Sequence, residues 1–131
     1  MSDVPERFGL PLVSLPSTAA SPEAIVDFLV RQLVQSGKIP GEELEKVVSD
    51  VLHRERLGST NLGRGLAIPH SESTGVDDVV GIIGESAHGV IWPGPINSQP
   101  VRIVCLLVTP ASKLGSSLRA LEALSRRLRG R

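Results

Sequence analysis

Most of the side chains with chemistry to offer fall between Arg54 and His70, where the chain reads RERLGSTNLGRGLAIPH. His70 is one of three histidines in the sequence. A neutral imidazole has a nitrogen lone pair at physiological pH and can take up a phosphoryl group covalently without a strong base to activate it. Such a carrier needs an exposed and oriented ring, because phosphoryl transfer is promoted mainly by positioning and charge stabilisation. Pro69 fixes φ directly before the histidine, and Leu66, Ala67 and Ile68 anchor the strand behind it. Ser59, Thr60 and the amides of the glycine-rich loop can donate to phosphoryl oxygens, with Arg54 as a charge-assisted fork. The residues alone leave one alternative open, a surface histidine after a proline with no task.

Other chemistries lack their residues. Gly58 and Gly63 have the spacing of a P-loop, but Arg64 and Gly65 stand where Lys and Ser or Thr should follow. Gly63 and Gly65 are followed by Leu66, Ala67 and Ile68, so no dinucleotide fingerprint forms. No paired Cys or His spacing supports zinc, and no G-x-S-x-G elbow supports a serine hydrolase. Neither a metal nor a cofactor is expected. His53 falls in the last turn of a helix and His88 in a glycine-flanked turn, and both read as structural. Cys105, alone within VRIVCLLV, reads as a buried and inert thiol, which fits a reducing compartment.

The elements that must position these groups are legible in outline. A chain of 131 residues fits a single domain, 1–131, around one core. Fourteen basic and fourteen acidic side chains cancel, so no overall field steers the protein to nucleic acid or an anionic membrane. Only Phe8, Phe28 and Trp92 are aromatic, too few for a base-stacking surface. The terminal RRLRGR reads as a solvated helix end. The first residues have neither a basic nor an apolar leader segment, and no run reaches the roughly 18 apolar residues of a membrane span. A soluble cytoplasmic protein, not inserted in the membrane, is the expectation.

Ser21 as N-cap, Pro22 at the first helical position and Gly37 as stop predict one helix, with Ile25, Phe28, Leu29 and Leu33 on its inner face. A second runs from Gly41 to near Gly58, burying Leu44, Val47, Val48, Val51 and Leu52 and delivering Arg54 and Glu55 to the start of the loop. GLAIPH, VVGIIGES and VRIVCLLVT predict well-covered strands, the last two separated by an excursion over Ala87 to Gln99. A final helix is predicted from Ser116 to Arg129. Helices, then strands, then a helix argue for an α/β single-domain sandwich, a mixed β-sheet flanked by α-helices.

The pattern REXXXSTXXGXGXAIPH, here Arg54 to His70, resembles the phosphohistidine signature of the fructose/mannitol-type enzyme IIA domains of the bacterial phosphotransferase system, a group that includes the nitrogen-regulatory enzyme IIA proteins. VIWPGPINSQPVRIVCLLVTP downstream is similar to the strand pair of that family, so the likeness covers nearly the whole chain. The resemblance implies a phosphoryl group accepted on His70 from the phosphocarrier protein HPr or its nitrogen-branch relative, at a site lined by Arg54, Ser59 and Thr60. An enzyme IIB or a regulated protein would be the next partner, and no permease segment is expected on this chain. Three departures stand out. Ser117 precedes Leu118 where the family usually places a second histidine, Arg64 occupies a position often filled by Asn or Glu, and the chain is short at its C-terminal end. The expectation is that Ser117 donates one hydrogen bond and Arg64 supplies the missing positive charge. The competing readings are an interaction module on the same fold that is not phosphorylated, and a small hydrolase or nucleotide-binding domain.

Overall fold

The computed structural model describes residues 10–94 and 99–111. Helix α1, Pro22–Gln35, begins as its residues dictate: Ser21 is extended at φ −142°, and its hydroxyl accepts from the Ala24 amide at 3.1 Å. Gly37, at φ 79°, ends it by donating to the Val34 carbonyl, while Lys38 donates to that of Leu33. A turn of 3-10 helix, Gly41–Glu43, leads into α2, Leu44–Leu57. The inner faces bury Ile25, Val26, Leu29, Val30 and Leu33 from α1, and Val47 and Val51 from α2. Phe28, Leu44, Val48 and Leu52 pack at the margin of the same core.

The sheet is mixed. Strands β1 (Leu12–Ser14), β2 (Asn61–Gly63), β3 (Leu66–Ala67), β4 (His70–Ser73), β5 (Val80–Val90) and β6 (Val101–Pro110) run in the order β1-β5-β6-β3-β2, with β4 also paired to β6. β5 and β6 are antiparallel, whereas β1 on β5, and β3 and β4 on β6, are parallel. Alternation on the central pair separates two apolar clusters. Ile82, Val104, Leu106 and Val108 join the helices, while Ile83, Cys105 and Leu107 pack with Leu66 and Ile68. Burial raises the Cys105 thiol pKa to about 12, so the thiolate is inaccessible at neutral pH.

Two local differences from the sequence reading set up the site. GLAIPH is not one strand. β3 and β4 follow one another along β6, Leu66 opposite Ile103 and His70 opposite Leu107, with Ile68 and Pro69 between them. Proline has no amide to give a ladder, yet the Pro69 carbonyl still accepts from Leu107 at 3.1 Å, so the line continues into His70. The loop before it is a hairpin, β2 antiparallel to β3, whose turn residues Arg64 and Gly65 lie at φ 61° and 79°. Positive φ at both positions is the type I′ geometry that matches strand twist. The predicted helix from Ser116 and the terminal arginines lie outside the described residues.

Candidate functional site

His70 is the first residue of β4 and is half-buried. Its Nδ1 lies 2.9 Å from the Ile68 carbonyl oxygen. A carbonyl only accepts, so this contact places the proton on Nδ1 and leaves the lone pair on Nε2. Burial, and then the Arg54 charge, hold the imidazole pKa below its ordinary value of 6.5, against the opposing pull of the Ile68 carbonyl and Glu55. The ring is therefore neutral at neutral pH and nucleophilic at one defined nitrogen.

The last turn of α2 supplies both of those charges. Arg54 donates from one guanidinium nitrogen to the Gly58 carbonyl at 2.7 Å, closing the helix end and leaving the rest of its fork for another acceptor. Glu55 accepts three hydrogen bonds: from the Thr60 amide at 2.8 Å, the Thr60 hydroxyl at 2.6 Å and the Trp92 indole at 3.0 Å. The Ser59 hydroxyl donates to the Pro93 carbonyl and accepts from the Asn61 amide. Asn61 donates from its side chain to the Trp92 carbonyl at 3.0 Å and accepts from the Gly63 amide at 2.8 Å. The loop before β2 is thus pinned on one side to α2 and on the other to the segment after β5.

The antiparallel pairing of β2 with β3 brings Thr60 back to Ile68, whose amide donates to the Thr60 carbonyl at 3.2 Å. Arg54, Ser59 and Thr60 therefore gather at the end of the hairpin nearest His70. The Arg64 backbone lies farther along the hairpin. The residue is exposed at the hairpin tip, where the Gly65 carbonyl accepts from Arg102 and Ile103. That level lies at Ile103 on β6, whereas His70 lies at Leu107. Four residues of strand separate them, about 13 Å. Ser117 lies outside the described residues. Among the described residues no three His, Cys, Asp or Glu side chains converge as a metal-binding group.

Sequence reasoning placed Glu55 beside the loop but gave neither it nor Asn61 or Trp92 a task. The available signal was a carboxylate at the end of a helix, followed within a few residues by hydroxyl donors. The Trp92 part had no local signal, because that indole is 37 residues away in the chain.

Fold and site together define a small α/β domain with a half-buried neutral histidine, its Nδ1 tied to backbone and its lone pair on Nε2. Residues 8–131 match the family model for the phosphoenolpyruvate-dependent sugar phosphotransferase system, EIIA 2, and the chain belongs to that family. Members are phosphoryl carriers in sugar transport or nitrogen regulation. The chain is 27% identical over 128 residues to the fructose-specific EIIA component of Haloferax volcanii, covering 98% of this chain and 81% of that protein. It is 30% identical over 118 residues to a nitrogen regulatory protein of Bradyrhizobium diazoefficiens, covering 83% and 76%. It is also 32% identical over 109 residues to the 2-O-alpha-mannosyl-D-glycerate-specific EIIABC component of Escherichia coli, covering 82% of this chain but only 16% of that protein. The nitrogen regulatory protein IIA-Ntr of Neisseria meningitidis shares the fold, with a TM-score of 0.72 at 24% identity over 86% of this chain and 73% of that one. The α/β class and mixed sheet expected from the sequence are those of this family. Among the described residues, no helix is long and apolar enough to cross a membrane.

Proposed function

We propose that this protein is a cytoplasmic phosphoryl carrier that accepts a phosphoryl group on Nε2 of His70 from HPr or its nitrogen-branch relative. The observation that carries the reading is the bond between Nδ1 and the Ile68 carbonyl, which fixes the tautomer and leaves the free lone pair on Nε2. In the transfer, that lone pair forms the new N–P bond while the bond between phosphorus and the donor's histidine nitrogen breaks. The donor imidazole leaves with the bonding electrons, and the Nδ1 proton of His70 stays in place. Arg54 answers the charge on the phosphoryl oxygens with the part of its fork not held by Gly58, whereas the Ser59 and Thr60 hydroxyls donate to phosphoryl oxygens only by leaving the Pro93 carbonyl and Glu55. Arg64 adds positive charge from the hairpin tip, and Ser117 is the candidate for a hydroxyl where relatives place a histidine. The group then passes to an enzyme IIB or marks the surface that a regulated protein meets. A relevant precedent is the mannitol enzyme IIA of Escherichia coli, solved in complex with phosphorylated enzyme IIB.

Incubation with phosphoenolpyruvate, the general enzyme and, in separate reactions, HPr or its nitrogen-branch relative, read by intact mass, tests the reading. Gain of one phosphoryl group on His70 is the expected result; an unchanged mass with both general carriers favours the interaction module that is not phosphorylated. The acid limb of the acceptance rate should lie at lower pH than the ordinary imidazole value of 6.5, because the reactive form is the neutral ring. Stability follows the same shift. The folded ring binds fewer protons than the unfolded one between the two pKa values, so stability falls as pH drops through 6.5 toward the folded value. Denaturation midpoints for His70→Gln should lack that component.

A further inference from the structure

A continuous set of hydrogen bonds runs from the ring of His70 to the indole of Trp92. Nδ1 of His70 donates to the Ile68 carbonyl at 2.9 Å, and the Ile68 amide donates to the Thr60 carbonyl at 3.2 Å. Thr60 is held at both its amide and its hydroxyl by one carboxylate, that of Glu55, which also takes the Trp92 indole. Thr60 and Trp92 are both buried, at 6% and 3% exposure, so water does not substitute freely for a lost partner. The two sides of the connection are tied again in parallel, by Ser59 to the Pro93 carbonyl and Asn61 to the Trp92 carbonyl.

We propose that Glu55 is a positioning residue for His70, setting the ring through Thr60 and Ile68, and that it couples the phosphorylation state of His70 to the Trp92 indole. The coupling half rests on the phosphoryl-carrier reading. Glu55 touches no reacting atom. Its carboxylate fixes where the Thr60 backbone lies, and that backbone holds the amide of Ile68, whose carbonyl in the following peptide unit orients the imidazole. A phosphoryl group at Nε2 brings nearly two negative charges to a ring that already feels the charge of Glu55, and so repels that carboxylate and strains its three hydrogen bonds. As the carboxylate is driven back, its bond to the indole weakens with the others. Linkage makes the effect reciprocal, so loss of the indole bond loosens the ring as well.

The test uses the full chain, ¹⁵N-labelled, as wild type and Glu55→Gln. In the wild type the ring nitrogens of His70 should report a single Nδ1–H tautomer, and in Glu55→Gln a mixture. With phosphorylated HPr as donor, Glu55→Gln should lower the rate at saturating donor about tenfold or more while leaving the KM for donor within about twofold, which general loss of structure would not do. On phosphorylation, confirmed by intact mass, hydrogen exchange at the wild-type Trp92 indole should accelerate about tenfold or more. A folded Glu55→Gln protein with an unchanged tautomer and rate overturns the proposal. Should that variant not fold, the wild-type indole decides: unchanged exchange in fully phosphorylated protein overturns the coupling, and faster exchange upholds it. Absence of any mass gain in the wild type instead refutes the carrier reading and with it the coupling, while the tautomer comparison in unmodified protein still decides the positioning role.

Discussion

His70→Gln is expected to abolish phosphoryl acceptance, a loss of at least about 10⁴-fold, with the fold intact. An amide nitrogen has no lone pair available for attack on phosphorus, so nothing replaces Nε2. The fold should persist because the Gln side chain can still donate to the Ile68 carbonyl, and the strand line into β4 is carried by backbone contacts such as Leu107 to Pro69. His70→Ala removes that donor and should cost an additional amount of about 1 kcal/mol in stability. His53 and His88 are exposed, and their alanine variants serve as controls with wild-type uptake. Intact mass after incubation with the general enzyme, HPr and phosphoenolpyruvate reads all four variants. Labelling of His70→Gln equal to wild type would place the chemistry on another residue.

What the sequence made legible was what local spacing governs. Ser21, Pro22 and Gly37 bracket α1 because caps act on amides and carbonyls within a turn of themselves. β6 and the first half of β5 are readable as aliphatic runs because both faces are covered, whereas residues 87–90, read as part of an excursion with His88 in a turn, continue β5 with Ala87 and His88 exposed. The hairpin β2–β3 escaped, since β2 is only three residues long and its turn carries Arg64 where the rules look for Asn or Gly. Pro69 reads locally as rigidity. That it divides a strand in two, while His70 rejoins the same neighbour further along, depends on β6, which lies far ahead in the chain. Glu55 is the clearest case of the same limit. Its proximity to Ser59 and Thr60 is visible in the sequence, but a carboxylate with three donors becomes a fixed joint only when Trp92 arrives from the far side of β5.

Arg54→Ala is expected to slow phosphoryl transfer by about 10²- to 10³-fold, the usual consequence of removing one preorganised donor from developing negative charge. Two further effects identify the charge, rather than general damage, as the cause. Arg54 lowers the imidazole pKa of His70, so its removal should raise that pKa and move the acid limb of the rate profile to higher pH. The Gly58 carbonyl that loses its donor is exposed and turns to water, so stability should change by less than about 1 kcal/mol. Arg54→Lys separates charge from shape. An ammonium restores the sign, but a single point donor at the end of a flexible stem must choose between the Gly58 carbonyl and the phosphoryl oxygens, whereas the guanidinium serves both from one plane. Lysine should therefore recover the pH profile while regaining only part of the rate. Equal rates for lysine and arginine would mean that the fork has no role beyond its charge. An unshifted His70 titration in Arg54→Ala, followed by NMR, would mean that the guanidinium does not act on the ring.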